Sequence, residues 1–293
     1  MGGGAQYCVL FSAMATLLAL FSSLLWGTAD YHGGKLSKKY PAIAVLGVTQ
    51  AIGLVFGIIL VLVTGEFSAS AFGVDGYFFP GALAGLLGYT GLICLYAGLA
   101  TGRMGVVAPI SGLSALIPVA YAFIVKGDRL SLILTIGAVL AIVGAFLASG
   151  PELSQGLPIK PLILALGAAF GFGFSLIGIA IGSEGSPLMT MVMMRVTTLF
   201  ISLGILCRYR TVGGLQFQLA PTLIFIGCAD FLANLLLGIA TTRGSLTLSM
   251  VLSALYPIFT ALLAYKFLNE RLHRVQYIGI FAAVTGVALI SAF

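Results

Sequence analysis

Ten apolar segments, each about as long as a membrane-spanning helix, alternate with short polar stretches along the chain. The hydrocarbon core of a bilayer is about 30 Å thick, so a helix needs about 20 apolar residues to cross it. Inside lipid the backbone must satisfy its own hydrogen bonds, and runs of this length do so as helices. The pattern therefore predicts an all-α, multi-pass integral membrane protein with ten transmembrane helices. The predicted segments are 9–30, 42–64, 77–100, 105–125, 130–149, 161–182, 187–207, 220–241, 245–267 and 275–293.

The composition excludes a soluble globular protein. Of the 293 residues, 60% are hydrophobic and only 8% are charged, whereas a soluble domain carries about 25% charged residues. Ten spans use about 200 residues, which leaves no room for a separate catalytic or binding domain. The net charge of +6 comes from cations scattered through short loops. Because these cations do not gather on one face, we predict no nucleic-acid partner.

Motifs for catalysis or cofactor binding are missing from the sequence. The four cysteines show no C-x-x-C spacing and lie in or beside apolar runs, where cysteine acts as a small hydrophobe. There is no H-E-x-x-H, G-x-S-x-G or phosphate-binding loop, and the two histidines, His32 and His273, lie near predicted helix ends. We therefore predict no metal, no cofactor and no enzymatic activity.

Lysine and arginine are unevenly distributed between the two sides of the membrane. Loops after the odd-numbered segments hold ten of these residues, whereas loops after segments 4 and 8 hold three. Cytoplasmic loops are enriched in Lys and Arg, so this count places both termini outside the cytoplasm. The first cation, Lys35, follows the first apolar segment, which predicts a retained span rather than a cleaved signal peptide.

The second half of the chain repeats the first. Leu-Ser-Ala-Leu-Ile-Pro at 113–118 recurs as Leu-Ser-Ala-Leu-Tyr-Pro at 252–257, an offset of 139, and neighbouring blocks match at offsets of 140 to 142. The starts of the halves match more weakly, with Trp26 opposite Phe172 at an offset of 146. We place the two repeats at 1–152 and 153–293. Because each repeat holds five helices, the second enters the membrane from the opposite side, which predicts the inverted pair of an alternating-access carrier.

Several short motifs resemble those of one family of ten-helix carriers. They are Leu-Trp-Gly at 25–27, Val-Ala-Pro-Ile at 107–110, Leu-Ser-Ala-Leu-Tyr-Pro at 252–257, and Asn-Glu-Arg-Leu at 269–272 followed by Gln276, Gly279 and Gly286. In order, spacing and duplication they resemble the EamA-type carriers of the drug/metabolite transporter superfamily, over nearly the whole chain. The resemblance implies a secondary-active carrier, commonly an exporter of amino acids, other small metabolites or drugs, with a cavity between its halves. Members of the family often have cytoplasmic termini, opposite to the orientation that the Lys and Arg count indicates.

Three charged residues lie within or at the end of predicted spans, namely Asp30, Arg195 and Asp230. A charge at the centre of a membrane helix is costly, so such residues usually face a cavity or an opposite charge. Asp230 shares a helix face with Asn234, one turn later. It either couples protons or binds a cation, or it forms a structural ion pair with Arg195. Arg195 could instead hold a substrate carboxylate.

Aromatic and polar residues complete the candidate site. Asp30 follows Trp26 by four residues, so a ring and a carboxylate share one face of the first helix. This pair suits a cationic amine, although the cations that follow favour an interfacial helix end. Gln50 is a candidate because it adjoins the repeat counterpart of the arginine. Tyr89 and Tyr256 are candidates to stack on an aromatic or cationic substrate, but tyrosine is also common at membrane interfaces.

Two prolines occupy equivalent positions in the predicted helices 4 and 9. Pro118 and Pro257 each remove the backbone hydrogen bond to the carbonyl four residues earlier, here Ser114 and Ser253. We interpret the prolines as hinges and the serines as polar ligands, because broken helices line transporter sites. In the alternative interpretation the prolines are ordinary membrane-helix prolines and neighbouring groups satisfy the freed carbonyls.

Together these features predict a secondary-active transporter that exports small metabolites, either amino-acid-like or drug-like solutes, by alternating access between two inverted halves. The predicted partners are a small-molecule substrate, the lipid bilayer and protons as the coupling ion. The chain is expected to act as a monomer in a plasma membrane, such as a bacterial inner membrane. The alternatives are a non-transporting scaffold or receptor and an intramembrane enzyme, although an enzyme needs clustered acids, histidines or a metal.

Overall fold

Helices form nearly all of the computed structural model, which describes residues 3–67, 71–73, 76–100, 107, 110–148, 159–209, 213–268 and 273–292. These described residues contain ten helical spans and no β-strand, so the predicted fold class is confirmed. The spans are α1 (Gly3–Ser37), α2 (Ala42–Thr64), α3 (Phe78–Ala100), α4 (Ile110–Ile124), α5 (Leu132–Ala148), α6 (Ile159–Gly185), α7 (Pro187–Tyr209), α8 (Ala220–Arg243), α9 in two segments (Leu246–Ser253 and Tyr256–Leu268) and α10 (Arg274–Ala292).

The outer surface of the bundle has the character of a lipid-facing surface. Seven of the described helices are long and apolar enough to cross a membrane, and α4 and α5 are shorter apolar helices. Large apolar side chains point outward, among them Leu62 and Val63, which are each 77% exposed. Lipid solvates such side chains as well as a protein core does, so the close interior contacts depend on small residues instead.

The largest departure from the predicted segments is in the first helix. It continues to Ser37, seven residues beyond the predicted end at residue 30. The ninth span is interrupted by a turn at Ala254 and Leu255. The predicted start of the fourth segment, at residue 105, lies outside the described residues.

Packing between helices follows the two-fold relation between the halves. α3 packs against α6 as α8 packs against α1, and α2 packs against α8 as α7 packs against α3. In addition, α2 packs on α7, α4 on α9 and α5 on α10, so these helices each contact their own repeat counterpart. A pseudo-two-fold axis runs between these pairs, as the inverted repeat predicts.

The contact between α5 and α10 repeats this symmetry in atomic detail. A Cβ atom added at Gly286 would lie 2.5 Å from the backbone nitrogen of Ala141 and from the carbonyl oxygen of Gly137. Equivalently, a Cβ atom added at Gly144 would meet the backbone of Ala283. Glycine at both positions lets the two backbones touch, which is how membrane helices pack closely.

Candidate functional site

A small polar cavity lies at the centre of the bundle, between the two halves. Four helices of each repeat line it, α1–α4 and α6–α9. Its volume of about 60 Å³ admits a few water molecules and is far below the roughly 300–1,000 Å³ of small-molecule pockets. The cavity is therefore contracted in this conformation. All ten residues that the sequence nominates for substrate binding or coupling line it, namely Trp26, Asp30, Gln50, Tyr89, Ser114, Arg195, Asp230, Asn234, Ser253 and Tyr256.

One end of the cavity is a closed network around a buried ion pair. Arg195 on α7 donates from Nη2 to Oδ2 of Asp230 on α8 over 2.9 Å and from Nη1 to Oε1 of Gln50 on α2 over 2.8 Å. Gln50 donates in turn from Nε2 to the same carboxylate oxygen over 3.0 Å. Asn234 donates to Oδ1 of Asp230 over 3.3 Å. Of the alternatives for the arginine, the ion pair is the arrangement that the structure contains.

The arginine side chain fits because α2 has a glycine beside it. A Cβ atom added at Gly53 would lie 3.1 Å from Nε of Arg195. This Nε is buried and has no hydrogen-bond partner among the described residues. The guanidinium also lies over the ring of Phe231, 5.8 Å from its centroid, and the Arg195 residue is only 3% exposed. Packing and hydrogen bonds thus fix the arginine, and two of its three nitrogens are engaged by protein groups.

Asp30, in contrast, forms no hydrogen bond and no ion pair with the described residues. It is 8% exposed, the same fraction as Asp230, and its side chain lines the cavity. Because α1 continues for seven further residues to Ser37, the interpretation of Asp30 as part of an interfacial helix end is wrong. Its carboxylate is a buried acidic group that borders the cavity and its aromatic wall and lies within electrostatic reach of Asp230.

Aromatic side chains form the wall next to this carboxylate. Trp26 and Tyr256 meet edge to face, with ring centroids 6.2 Å apart. The Tyr256 hydroxyl hydrogen-bonds the Ser111 hydroxyl over 3.1 Å, and the Tyr89 hydroxyl bonds to that of Ser202 over 2.8 Å. Tyr89 and Tyr256 are both buried within the protein. The wall offers ring faces and edges to a ligand, while its hydroxyl groups are largely satisfied within the protein.

Both prolines sit directly after irregular turns in the helices that cross at the pseudo-two-fold axis. A 3-10 turn at Leu113–Ala115 precedes Pro118 in α4, and the break in α9 precedes Pro257. Proline has no backbone N–H, so it cannot donate the helical hydrogen bond to the carbonyl four residues earlier, which lies in or beside these turns. Ser114 and Ser253 lie in or beside these turns and line the cavity. The helix interruptions predicted from the two prolines are present, whereas their use as hinges stays a prediction.

Several cavity residues escaped the sequence argument. Phe172 lines the cavity, and its repeat offset from Trp26 is the signal that marks it. Thr198 follows Arg195 by three residues and donates to its carbonyl over 2.9 Å. Ser175 donates to a carbonyl of α3 over 2.8 Å, and nothing in the sequence distinguishes this serine from others in apolar helices.

The loop after α4 contacts the second half of the chain. It lies on the side of the membrane where α1 begins and α10 ends, which we call the terminal side. Lys126 forms a salt bridge with Glu184 at the end of α6, with a distance of 2.6 Å between Nζ and Oε1. Asp128 accepts hydrogen bonds from the hydroxyl of Thr247, over 2.8 Å, and from its backbone nitrogen. These contacts connect the first half to α6 and α9 of the second half on that side.

A contracted polar cavity between two inverted five-helix repeats is the architecture of a membrane carrier. The sequence model of the EamA-like transporter family matches the chain twice, at residues 13–150 and 159–292. This chain belongs to the EamA-like transporter family and is therefore a membrane transporter, as the resemblance in its motifs predicted.

Comparison with individual proteins supports the fold and identifies no substrate. One solved crystal structure is similar to the chain with a TM-score of 0.73 and 19% sequence identity, over 94% of this chain and 95% of the other. At that identity the likeness establishes the fold alone. No curated protein matches the chain.

Proposed function

We propose that this chain is a secondary-active exporter of small organic solutes, amino-acid-like or drug-like, that works by alternating access. The observation that carries the proposal is the contracted cavity between the halves, which holds a buried carboxylate without a partner among the described residues. Since about 60 Å³ is too small for a metabolite, the halves must separate to admit one. Inverted repeats provide two such arrangements, each open to a different side.

Asp30 is the proposed coupling group. A carboxylate away from water is costly unless a cation compensates it, and Arg195 already bonds to Asp230 and Gln50. Asp30 therefore takes up either a proton or the cationic group of the solute when the cavity closes. Competition between these two occupants links the entry of protons to the exit of solute.

The solute class follows from the wall of the cavity. Edges and faces of Trp26, Phe172 and Tyr256 surround the space, and such rings attract both aromatic groups and organic cations. The arginine is engaged by the protein, so recognition of a substrate carboxylate is not its proposed role. We propose a small solute with an aromatic or aliphatic body and an amine.

Transport direction and location are part of the same proposal. The basic side, defined by the loops after the odd-numbered helices, faces the cytoplasm. The membrane is a bacterial inner membrane, and the chain acts as a monomer. The contacts of Lys126 and Asp128 connect the two halves on the terminal side, which supports a conformation closed on that side. Bending at Pro118 and Pro257 would open one side as the other closes.

Flux in proteoliposomes tests the proposal. The purified chain is reconstituted, and labelled amines, amino acids and organic cations are tested with and without an imposed proton gradient. We expect saturable flux of one solute class that the gradient drives. Asp30→Asn should abolish the gradient dependence, whereas Glu66→Gln, which removes an exposed carboxylate after α2, should transport normally.

Fluorescence provides a second measurement that needs no gradient. Trp26 is the only tryptophan in the chain and lines the cavity, so a bound solute should change its emission saturably. Gradient-driven flux that persists in Asp30→Asn would exclude Asp30 as the coupling group. Absence of both flux and fluorescence change across the panel would contradict the solute class proposed here.

A further inference from the structure

A much larger groove lies on the outer face of the bundle, between α2, α7 and the start of α8. Its volume is about 870 Å³, within the range of ligand-binding pockets. We call it the α2–α7 groove. Its wall is almost wholly apolar and includes Ala51, Val55, Ile59, Leu199, Leu203 and Ile224.

The α2–α7 groove is separate from the central cavity. Ser202 lines the groove and Tyr89 lines the cavity, and the hydrogen bond of 2.8 Å between their hydroxyls closes the wall between the two spaces. A ligand of the groove therefore contacts lipid-facing surface rather than Asp30 or Arg195. The ligand of the groove is therefore a different molecule from the solute of the central cavity.

Charge distinguishes the two ends of the groove. Pro41 and Leu206 line it near the basic side. Lys38 and Lys39 lie just before Pro41, Arg208 lies two residues after Leu206, and all three cations are exposed. The opposite end points to the terminal side, where the exposed charged residue just after α2 is an acid, Glu66. An elongated apolar ligand with an anionic head fits this groove in one direction only.

We propose that the α2–α7 groove binds an anionic phospholipid of the basic-side leaflet. Its phosphate lies at Lys38, Lys39 and Arg208, and one acyl chain lies along the apolar wall. Cations at the end of a membrane helix attract anionic headgroups, and a concave apolar wall fits a hydrocarbon chain better than a flat helix face. The inference does not depend on which solute the central cavity carries.

Binding of defined lipids to the purified chain tests this proposal. The probes are phosphatidylglycerol and phosphatidylcholine with identical acyl chains, added to the protein in detergent and counted by native mass spectrometry. We expect phosphatidylglycerol to bind at least tenfold more tightly. Each cation contributes about 1 kcal/mol to such binding, so the triple variant Lys38→Gln, Lys39→Gln, Arg208→Gln should bind it roughly a hundredfold more weakly.

A matched control removes the same charge from the same side, away from the groove. The triple variant Lys160→Gln, Lys266→Gln, Arg274→Gln changes three exposed cations and should bind phosphatidylglycerol like the parent chain. If both triple variants lose the same affinity, or if phosphatidylcholine binds equally well, the site has no headgroup specificity and the proposal fails.

Binding of the acyl chain is tested by a substitution that fills the groove. Ala51→Phe places a ring in the groove and should abolish lipid retention, whereas Val139→Phe, on an exposed face of α5, should not. Inorganic phosphate should neither bind nor compete, because it lacks the chain. Competition by phosphate alone, unchanged retention in Ala51→Phe, or a stable dimer that buries the groove would overturn the proposal.

Discussion

Two regions of the central cavity, one around Asp230 and one around Asp30, carry the same acidic residue type with the same exposure and hold it in different ways. Asp230 accepts hydrogen bonds from Arg195, Gln50 and Asn234, whereas Asp30 has no partner among the described residues, and both are 8% exposed. Burial alone therefore does not distinguish a structural carboxylate from one available to a ligand. The difference lies in whether the neighbouring helix supplies a cation.

The repeats explain why only one end is fixed. Trp26 and Phe172 are equivalent in the two halves, as are Ser114 and Ser253, and all four line the cavity. The ion pair breaks this symmetry, because the repeat counterparts of Arg195 and Asp230 are threonines. The second half thus provides an internally neutralised ion pair between α7 and α8, and Gln50 on α2 of the first half joins it to form the anchor. The carboxylate of α1 has no such partner among the described residues, which is why we propose it as the group that meets the solute or the proton.

Breaking the anchored end should have the largest effect. Asp230→Asn leaves Arg195 buried without a counter-charge, and removing one partner of a buried pair costs about 3–5 kcal/mol. Equilibrium unfolding in mixed micelles measures this loss. Replacing both partners, as Arg195→Met with Asp230→Leu, should recover most of the stability. If Asp230→Asn is as stable as the parent chain, the ion pair is not an anchor.

Moving α8 away from α2 should weaken the same anchor without touching its charges. A Cβ atom added at Gly227 would lie 2.5 Å from the carbonyl oxygen of Thr49, so Gly227→Ala forces the two backbones apart, at a cost of about 1–3 kcal/mol. The matched control is Gly204→Ala in α7, where an added Cβ meets no atom within 4 Å. Equal stability of the two variants in the unfolding assay would mean that the close approach is unimportant.

The sequence predicted the fold because hydropathy and repetition are properties of whole segments. It also nominated ten of the thirteen polar and aromatic residues that line the cavity, since a charge or amide in an apolar span must face a cavity or a partner. Which carboxylate is paired depends on how α2 and α7 approach α8, and this distance is not encoded in any local pattern. The predicted end of α1 was too early for another reason: the cations after Asp30 indicated an interface, but the helix continues past Lys35 to Ser37.

The unpaired end should behave differently in the same unfolding assay. Asp30→Asn removes no hydrogen bond to the described residues, so we expect the free energy of unfolding to change by less than about 1 kcal/mol. Asp230→Asn is the matched comparison, since it is the same substitution at the same exposure. A loss of about 3 kcal/mol in Asp30→Asn, the size expected for a broken buried pair, would show that Asp30 is also an anchor.

The smallest effect is expected at the exposed ion pair that joins the halves on the terminal side. Lys126 and Glu184 have side chains that are 39% and 51% exposed, and a double-mutant cycle with Lys126→Gln and Glu184→Gln should give a coupling of only about 0.2–1 kcal/mol. The hydrogen bond to Glu184 raises the pKa of Lys126. The contribution of this ion pair to the free energy of unfolding is therefore complete at neutral pH. It is lost only as the pH rises through the raised pKa of Lys126, above about 10.4.

Under the proposed alternating-access mechanism, a contact this weak suits a surface that opens in each transport cycle, whereas the buried pair suits one that stays closed. The two pairs can be compared directly, because one unfolding assay measures the effect of breaking each pair. The exposed pair should also lose its coupling in high salt, since exposed charges are screened. A salt-insensitive coupling of several kcal/mol between Lys126 and Glu184 would mean that the terminal side is held shut as firmly as the anchor.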